Sequence, residues 1–195
     1  MTLERVCVYA GSHVGARASY REAAVELART LVAEGIGIVY GGGAVGLMGA
    51  LADAAIDRGG EVTGVIPRTL LTREVAHEGL EDLRIVQSMH HRKALMADLA
   101  DAFVALPGGY GTLEELVEVL TWTQLGLHRK PCAVLNVDGY YDGLLAFLDH
   151  ATAEGFVAQY DRELLVVAER PRQLLARLRE FEAPPATKWL DRDTL

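Results

Sequence analysis

Short apolar runs alternate with longer amphipathic stretches along this chain, and glycine stands at most of the joints. Arg5 to Tyr9 reads as a buried strand. Ala18 to Glu34 then places Tyr20, Ala23, Ala24, Leu27 and Leu31 at helical spacing, with Gly35 positioned to end the helix. Ile36 to Tyr40 is the next strand, Leu47 to Arg58 the next helix, and Glu61 to Ile66 a third strand. From Pro67 to Gly79 the rhythm breaks into a polar stretch that reads as a long loop or short helix. Leu83 to Val86 and Ala102 to Leu106 are strands on either side of a helix from Arg92 to Ala100. Leu113 to Leu125 reads as a helix, Pro131 to Val137 as a strand, and Tyr141 to Glu154 as a helix closed by Gly155. Leu164 to Ala168 and Pro171 to Glu180 form a last strand–helix pair.

This alternation predicts the α/β class: a Rossmann-like, doubly wound, mostly parallel sheet with helices on both faces. Residues 1–182 read as one nucleotide-binding domain, and residues 183–195 as a C-terminal tail. Ligands in this architecture bind beyond the carboxyl ends of the strands, where the strand order reverses. Three glycine-rich turns follow strands: Gly11 to Gly15, Gly41 to Gly46 and Gly108 to Gly111. All three are expected on one rim.

Composition narrows the function. Hydrophobic residues make up 50% of the 195 residues and charged ones 24%, an ordinary globular balance. A formal net charge of -8 disfavours nucleic acid and acidic membrane surfaces as partners. No apolar run approaches the roughly 18 residues of a membrane span, and the N-terminus shows no signal-peptide pattern. A cytoplasmic location is expected. Cys7 and Cys132 sit in apolar strand runs, which suits buried free thiols better than a disulfide or a metal pair. His90 and His91 are adjacent, and none of the six histidines has zinc-site spacing with thiolate or carboxylate support, so no metal is expected.

Nucleotide chemistries can be sorted by motif. The first turn, Gly11-Ser12-His13-Val14-Gly15, fails the dinucleotide pattern. Gly41, Gly43 and Gly46 fit it, but they follow the second strand, and no acidic residue ends the next strand to hold a ribose. A Walker Gly-Lys-Ser/Thr sequence and a Gly-x-Ser-x-Gly elbow are both missing. No cofactor is expected.

Two segments carry candidate chemistry. Pro107-Gly108-Gly109-Tyr110-Gly111-Thr112-Leu113-Glu114-Glu115 joins a strand to a helix through a glycine turn, which aims backbone N–H groups at an anion. Thr112 and Glu115 also have the spacing of a capping box, with Thr112 at the N-cap, and that explains the pair without catalysis. Ser88-Met89-His90-His91-Arg92-Lys93 opens a helix on the same rim. Cations there oppose the helix dipole, which suggests a ligand or ion-pair partner; a solvated basic pair is the plain alternative.

The first segment matches the P-G-G-x-G-T-x-x-E signature and resembles the LOG (Lonely Guy) family, long mislabelled as lysine decarboxylases. Gly11-Ser12, Gly41 to Gly49, Gly64-Val65-Ile66-Pro67, Met89-His90-x-Arg92-Lys93 and Asn136-Val137-Asp138-Gly139-Tyr140-Tyr141 extend the resemblance over nearly the whole chain. It implies hydrolysis of the N-glycosidic bond of adenosine 5'-monophosphates, N6-substituted or not, releasing cytokinin or adenine and ribose 5-phosphate. By resemblance Arg92 and Glu115 are catalytic. Glu74, Arg92, Lys93, Gly108, Gly109, Tyr110, Gly111, Thr112, Leu113, Glu114 and Thr121 are substrate contacts in the same sense.

The chain's length is similar to the shorter, dimeric branch of the family, so a homodimer is implied. The apolar Trp122 to Leu127 stretch is a candidate contact, with ordinary core as its other reading. Two positions depart from the pattern: His13 stands where a serine is usual, and His91 where glutamate or glutamine is common. The rival readings are a general AMP nucleosidase and a non-catalytic nucleotide or cofactor carrier on the same fold. Retention of both Arg92 and Glu115 speaks against the carrier. Lysine decarboxylation lacks a recognisable pyridoxal-phosphate lysine.

Overall fold

A computed structural model describes residues 2–71 and 75–183. Its strands are β1 (Arg5–Tyr9), β2 (Gly37–Tyr40), β3 (Val62–Pro67), β4 (Asp82–Val86), β5 (Ala102–Ala105), β6 (Cys132–Leu135) and β7 (Leu165–Ala168). Its helices are α1 (Ala18–Ala33), α2 (Gly46–Ile56), α3 (Met89–Leu99), α4 (Tyr110–Gln124), α5 (Asp142–Ala153), α6 (Gln159–Arg162) and α7 (Pro171–Glu180). The seven strands form one sheet in the order β4-β3-β2-β1-β5-β6-β7. Every pairing is parallel.

Both faces of this sheet are covered, which is why its central strands read as unbroken apolar runs. Side chains alternate between the two faces. Val6, Val8, Ile38, Tyr40 and Val104 pack with α1, α2 and α7. Cys7, Tyr9, Val39, Phe103 and Ala105 pack with α3, α4 and Tyr141. Cys7 and Cys132 are buried and free, as expected. Burial pushes the Cys7 thiol far up and the Cys132 thiol to about 12, so neither is a reactive thiolate. Among the described residues no helix is long and apolar enough to cross a membrane.

Most elements fall within two residues of the sequence expectation, but two helix starts do not. α4 begins at Tyr110 rather than Leu113, with Gly109 at the N-cap and no side chain capping it. Thr112 is therefore buried inside the first turn, and Glu115 lies one turn further on. The capping-box reading is wrong: the glycines let the backbone turn into helix earlier than a side-chain cap would. α3 begins at Met89, capped by Ser88, whose Oγ accepts from His91 N at 3.2 Å. Arg92 and Lys93 thus sit beyond the turn where a cation opposes the dipole most. The short helix α6 carries too few residues to show a period.

The rhythm-breaking stretch contains a single helical turn at Arg68–Leu70. It then crosses the Gly41–Gly46 turn. Ala44 N donates to Val75 O at 2.8 Å, Gly43 and Ala76 form an antiparallel bridge, and His77 N donates to Gly42 O at 3.0 Å. The His77 ring accepts from Gly79 N at Nδ1 and meets Asp53 of α2 at 2.9 Å through Nε2. From position 184 onward the expected tail lies outside the described residues.

Candidate active site

The sheet order reverses between β1 and β5, and their ends stay paired past the strands. Leu106 N donates to Tyr9 O at 2.9 Å, and Gly11 N donates to Pro107 O at 3.1 Å. The turns leaving β1 and β5 therefore run side by side. A cavity of about 460 Å³ opens between them, a size suited to a small ligand. Its walls are Ala10 to Gly15, Pro107 to Thr112, Arg92, Glu114 and Glu115. Leu47, Met48, Leu70 and Met89 line its apolar side, and Tyr20 and Tyr140 complete it.

The start of α4 has the features of an anion site. Its first intrahelical bond runs from Leu113 N to Gly109 O at 3.1 Å. The amides of Tyr110, Gly111 and Thr112 precede it and have no acceptor within the helix. Together with the helix dipole they favour negative charge. Gly108 makes the turn possible: a Cβ there would sit 2.1 Å from Thr112 Oγ1.

Arg92 is 5% exposed. Its Nε donates to Val65 O and its Nη2 to Gly41 O, each at 3.1 Å, and its Nη1 lies 3.9 Å from Met89 Sδ. The guanidinium is thereby pinned to the carboxyl ends of β2 and β3. A Cβ on Gly41 would fall 2.0 Å from Nη2, so this turn is glycine to make room for the cation. Glu115 lines the same cavity. Besides burial and a Tyr9 contact, the Cys7 thiol feels both charges, Glu115 raising its pKa and Arg92 lowering it. The opposed pair therefore lies within electrostatic reach of β1.

Not every expected contact joins the cavity. Lys93 Nζ is held by Glu114 and by Glu118, the latter at 2.9 Å, and does not line the cavity. Burial pulls its pKa down, but the two carboxylates outweigh that and raise it above the ordinary value of 10.5. Leu113 packs against the core behind the turn. Thr121 donates to Val117 O at 2.7 Å and borders a separate apolar groove of about 150 Å³, formed with Leu116, Leu120, Leu144 and Leu148. Glu74 lies outside the described residues. The structure thus gathers Arg92, Gly108 to Thr112, Glu114 and Glu115, and adds Tyr20, Met48, Met89 and Tyr140. Sequence reasoning did not assign these four to the site because single aromatic and thioether side chains carry no spacing signal, although Met48, Met89 and Tyr140 lay in quoted motifs. Among the described residues no group of three or more His, Cys, Asp or Glu could hold a metal ion.

Comparison with known proteins follows the same line. Residues 48–178 match the family described as "Possible lysine decarboxylase". The cytokinin riboside 5'-monophosphate phosphoribohydrolase LOG of Oryza sativa subsp. japonica is 55% identical over 177 residues, covering 91% of this chain and 73% of that protein. The cytokinin riboside 5'-monophosphate phosphoribohydrolase LOG7 of Arabidopsis thaliana is 52% identical over 179 residues, covering 92% and 82%. Among solved structures, the molybdenum cofactor binding protein of Rippkaea orientalis aligns with a TM-score of 0.69 at 20% identity, covering 92% of this chain and 98% of that one. At that identity it shares the fold alone. The signature at the start of α4, the buried Arg92 and the two relatives agree: the chain belongs to the LOG family.

Proposed function

We propose that the chain hydrolyses the N-glycosidic bond of adenosine 5'-monophosphates, cytokinin nucleotides included, releasing the base and ribose 5-phosphate. One observation carries the reading. A single cavity joins an uncapped helix N-terminus to a carboxylate, Glu115, and a buried arginine, Arg92. The 5'-phosphate rests on the amides of Tyr110, Gly111 and Thr112. Glu115 stabilises the oxocarbenium-like sugar as the base departs and orients the attacking water. Arg92 presents its guanidinium to the same cavity and aligns Glu115. Leu47, Met48, Leu70 and Met89 offer apolar surface to the base.

Decarboxylation of lysine fits poorly. A Schiff-base lysine needs a neutral amine, whereas Lys93 is held protonated by two carboxylates. Lys130 is engaged by Ala97 O at 2.7 Å. The expected outcome of Glu115→Gln is loss of adenine release from AMP by about three orders of magnitude, with AMP still bound in a calorimetric titration. Undiminished turnover would overturn the mechanism. Comparing AMP with its N6-isopentenyl analogue separates a cytokinin enzyme from a general AMP nucleosidase.

A homodimer and a cytoplasmic setting belong to the same proposal. Val117, Phe147, Phe156 and Tyr160 are exposed near the groove beside α4, an apolar surface that a second copy would cover. The two buried thiols suit a reducing compartment.

A further inference from the structure

Tyr140 has no part in the chemistry above, yet it lines the same cavity as Arg92 and Glu115. Its hydroxyl donates to Gly108 O at 2.5 Å. Its ring meets Tyr20 edge-on at 5.5 Å and Tyr141 edge-on at 5.0 Å. The turn that presents it is fixed in one conformation. Asp138 holds φ 50, a left-handed value uncommon outside glycine. Its carboxylate accepts from Ser19 Oγ at 2.6 Å and pairs with Arg17 at 3.6 Å, which ties the strained residue to the start of α1. Asn136 closes the turn from within, accepting from Tyr141 N and donating to Asp142, each at 2.7 Å. Tyr141 in turn donates to Leu106 O at 2.6 Å. Two adjacent tyrosines thus hold two carbonyls of the segment that leaves β5.

The Gly108 carbonyl matters because of the peptide it belongs to. A planar trans peptide directs its C=O and its N–H in opposite senses. The peptide between Gly108 and Gly109 has no side chain on either flank, so its rotation meets little steric resistance. The Tyr140 hydroxyl fixes the carbonyl on one side and the Gly109 N–H on the other. It also covers a partial negative charge beside the place where an anion would enter.

We infer that Tyr140 is a positioning residue for a phosphomonoester: it sets the peptide plane of the glycine turn that receives the phosphate. This inference rests on the nucleotide reading above and adds to it a residue that acts on the phosphate end alone.

Tyr140→Phe keeps both ring contacts and removes only the hydroxyl. Calorimetric titration of wild type and variant with ribose 5-phosphate and with adenosine tests the idea, alongside steady-state hydrolysis of AMP. Ribose 5-phosphate affinity is expected to fall about three- to tenfold, the range of one lost hydrogen bond, with adenosine binding unchanged. KM for AMP should rise by the same factor while kcat and the melting temperature hold. Equal ribose 5-phosphate affinity in the two proteins overturns the inference, as does an equal loss for adenosine or no binding of ribose 5-phosphate by the wild type. Failure of the wild type to release adenine from AMP overturns the hydrolase instead, and the ribose 5-phosphate ratio alone decides the role of Tyr140.

Discussion

Arg92 combines two properties that rarely coexist: full charge and near-complete burial. Two backbone carbonyls, from Val65 and Gly41, compensate its desolvation and fix its aim. That aim depends on an absent side chain. Gly41→Ala would place a methyl 2.0 Å from Nη2 and force the guanidinium away. We expect kcat/KM for AMP to fall about a hundredfold, since displacement of a catalytic group by about 1 Å has that effect. The circular dichroism of the variant should match wild type, because Gly41 is not in the left-handed region. Arg92 was legible from its neighbours in the sequence, but its anchoring was not. The carbonyls of Val65 and Gly41 are brought to it by strand order alone, and no local pattern records that.

Helices α3 and α4 deliver the two halves of the site, and Lys93 ties them. Its ammonium bridges Glu114 and Glu118 while Arg92, one residue earlier, serves the cavity. Adjacent cations on one helix point about 100° apart, so the same dipeptide supplies one structural and one functional charge. Lys93→Met would leave the carboxylates of α4 without their cation and cost about 2 kcal/mol, roughly 6 °C in melting temperature. Because Lys93 is raised above 10.5, its contribution is complete below pH 10.5 and fades as the pH climbs past the raised value. The gap between wild type and variant should therefore narrow in strongly alkaline buffer, measured by thermal melts across pH. By resemblance Lys93 is a substrate contact, and what hid its partners is that α3 and α4 meet only in the folded chain. Glu114 and Glu118 fall one turn apart on a single face of α4, but no local pattern pairs that face with Lys93.

The molecule as a whole was the most legible level. Alternating strand and helix patterns predict a parallel doubly wound sheet, and the reversal between β1 and β5 sets the cavity where such sheets bind ligands. The sequence could not show which surface is left uncovered. Phe147 and Phe156 are 63% and 86% exposed, in helix α5 and just beyond it. A second copy covering them gives an expected mass of two chains in sedimentation equilibrium, and Phe147→Asp with Phe156→Asp should return it to one. A single-chain mass for the wild type would remove the dimer.

The crossing of residues 75–77 over the Gly41–Gly46 turn has a further consequence for selectivity. This turn has the spacing that elsewhere cradles a pyrophosphate, yet the amide of Ala44 and the carbonyl of Gly42 are already bonded to the protein's own chain. His77 locks that crossing to α2 through Asp53. Of the three glycine turns expected on one rim, this one has an amide already taken from within. If the proposed seat at Gly108 to Thr112 takes one phosphate, a second phosphate at the Gly41–Gly46 turn would have to compete with Val75 O for the Ala44 amide. On the proposed reading, a bias toward mononucleotides over dinucleotides is set as the chain folds, before any ligand arrives.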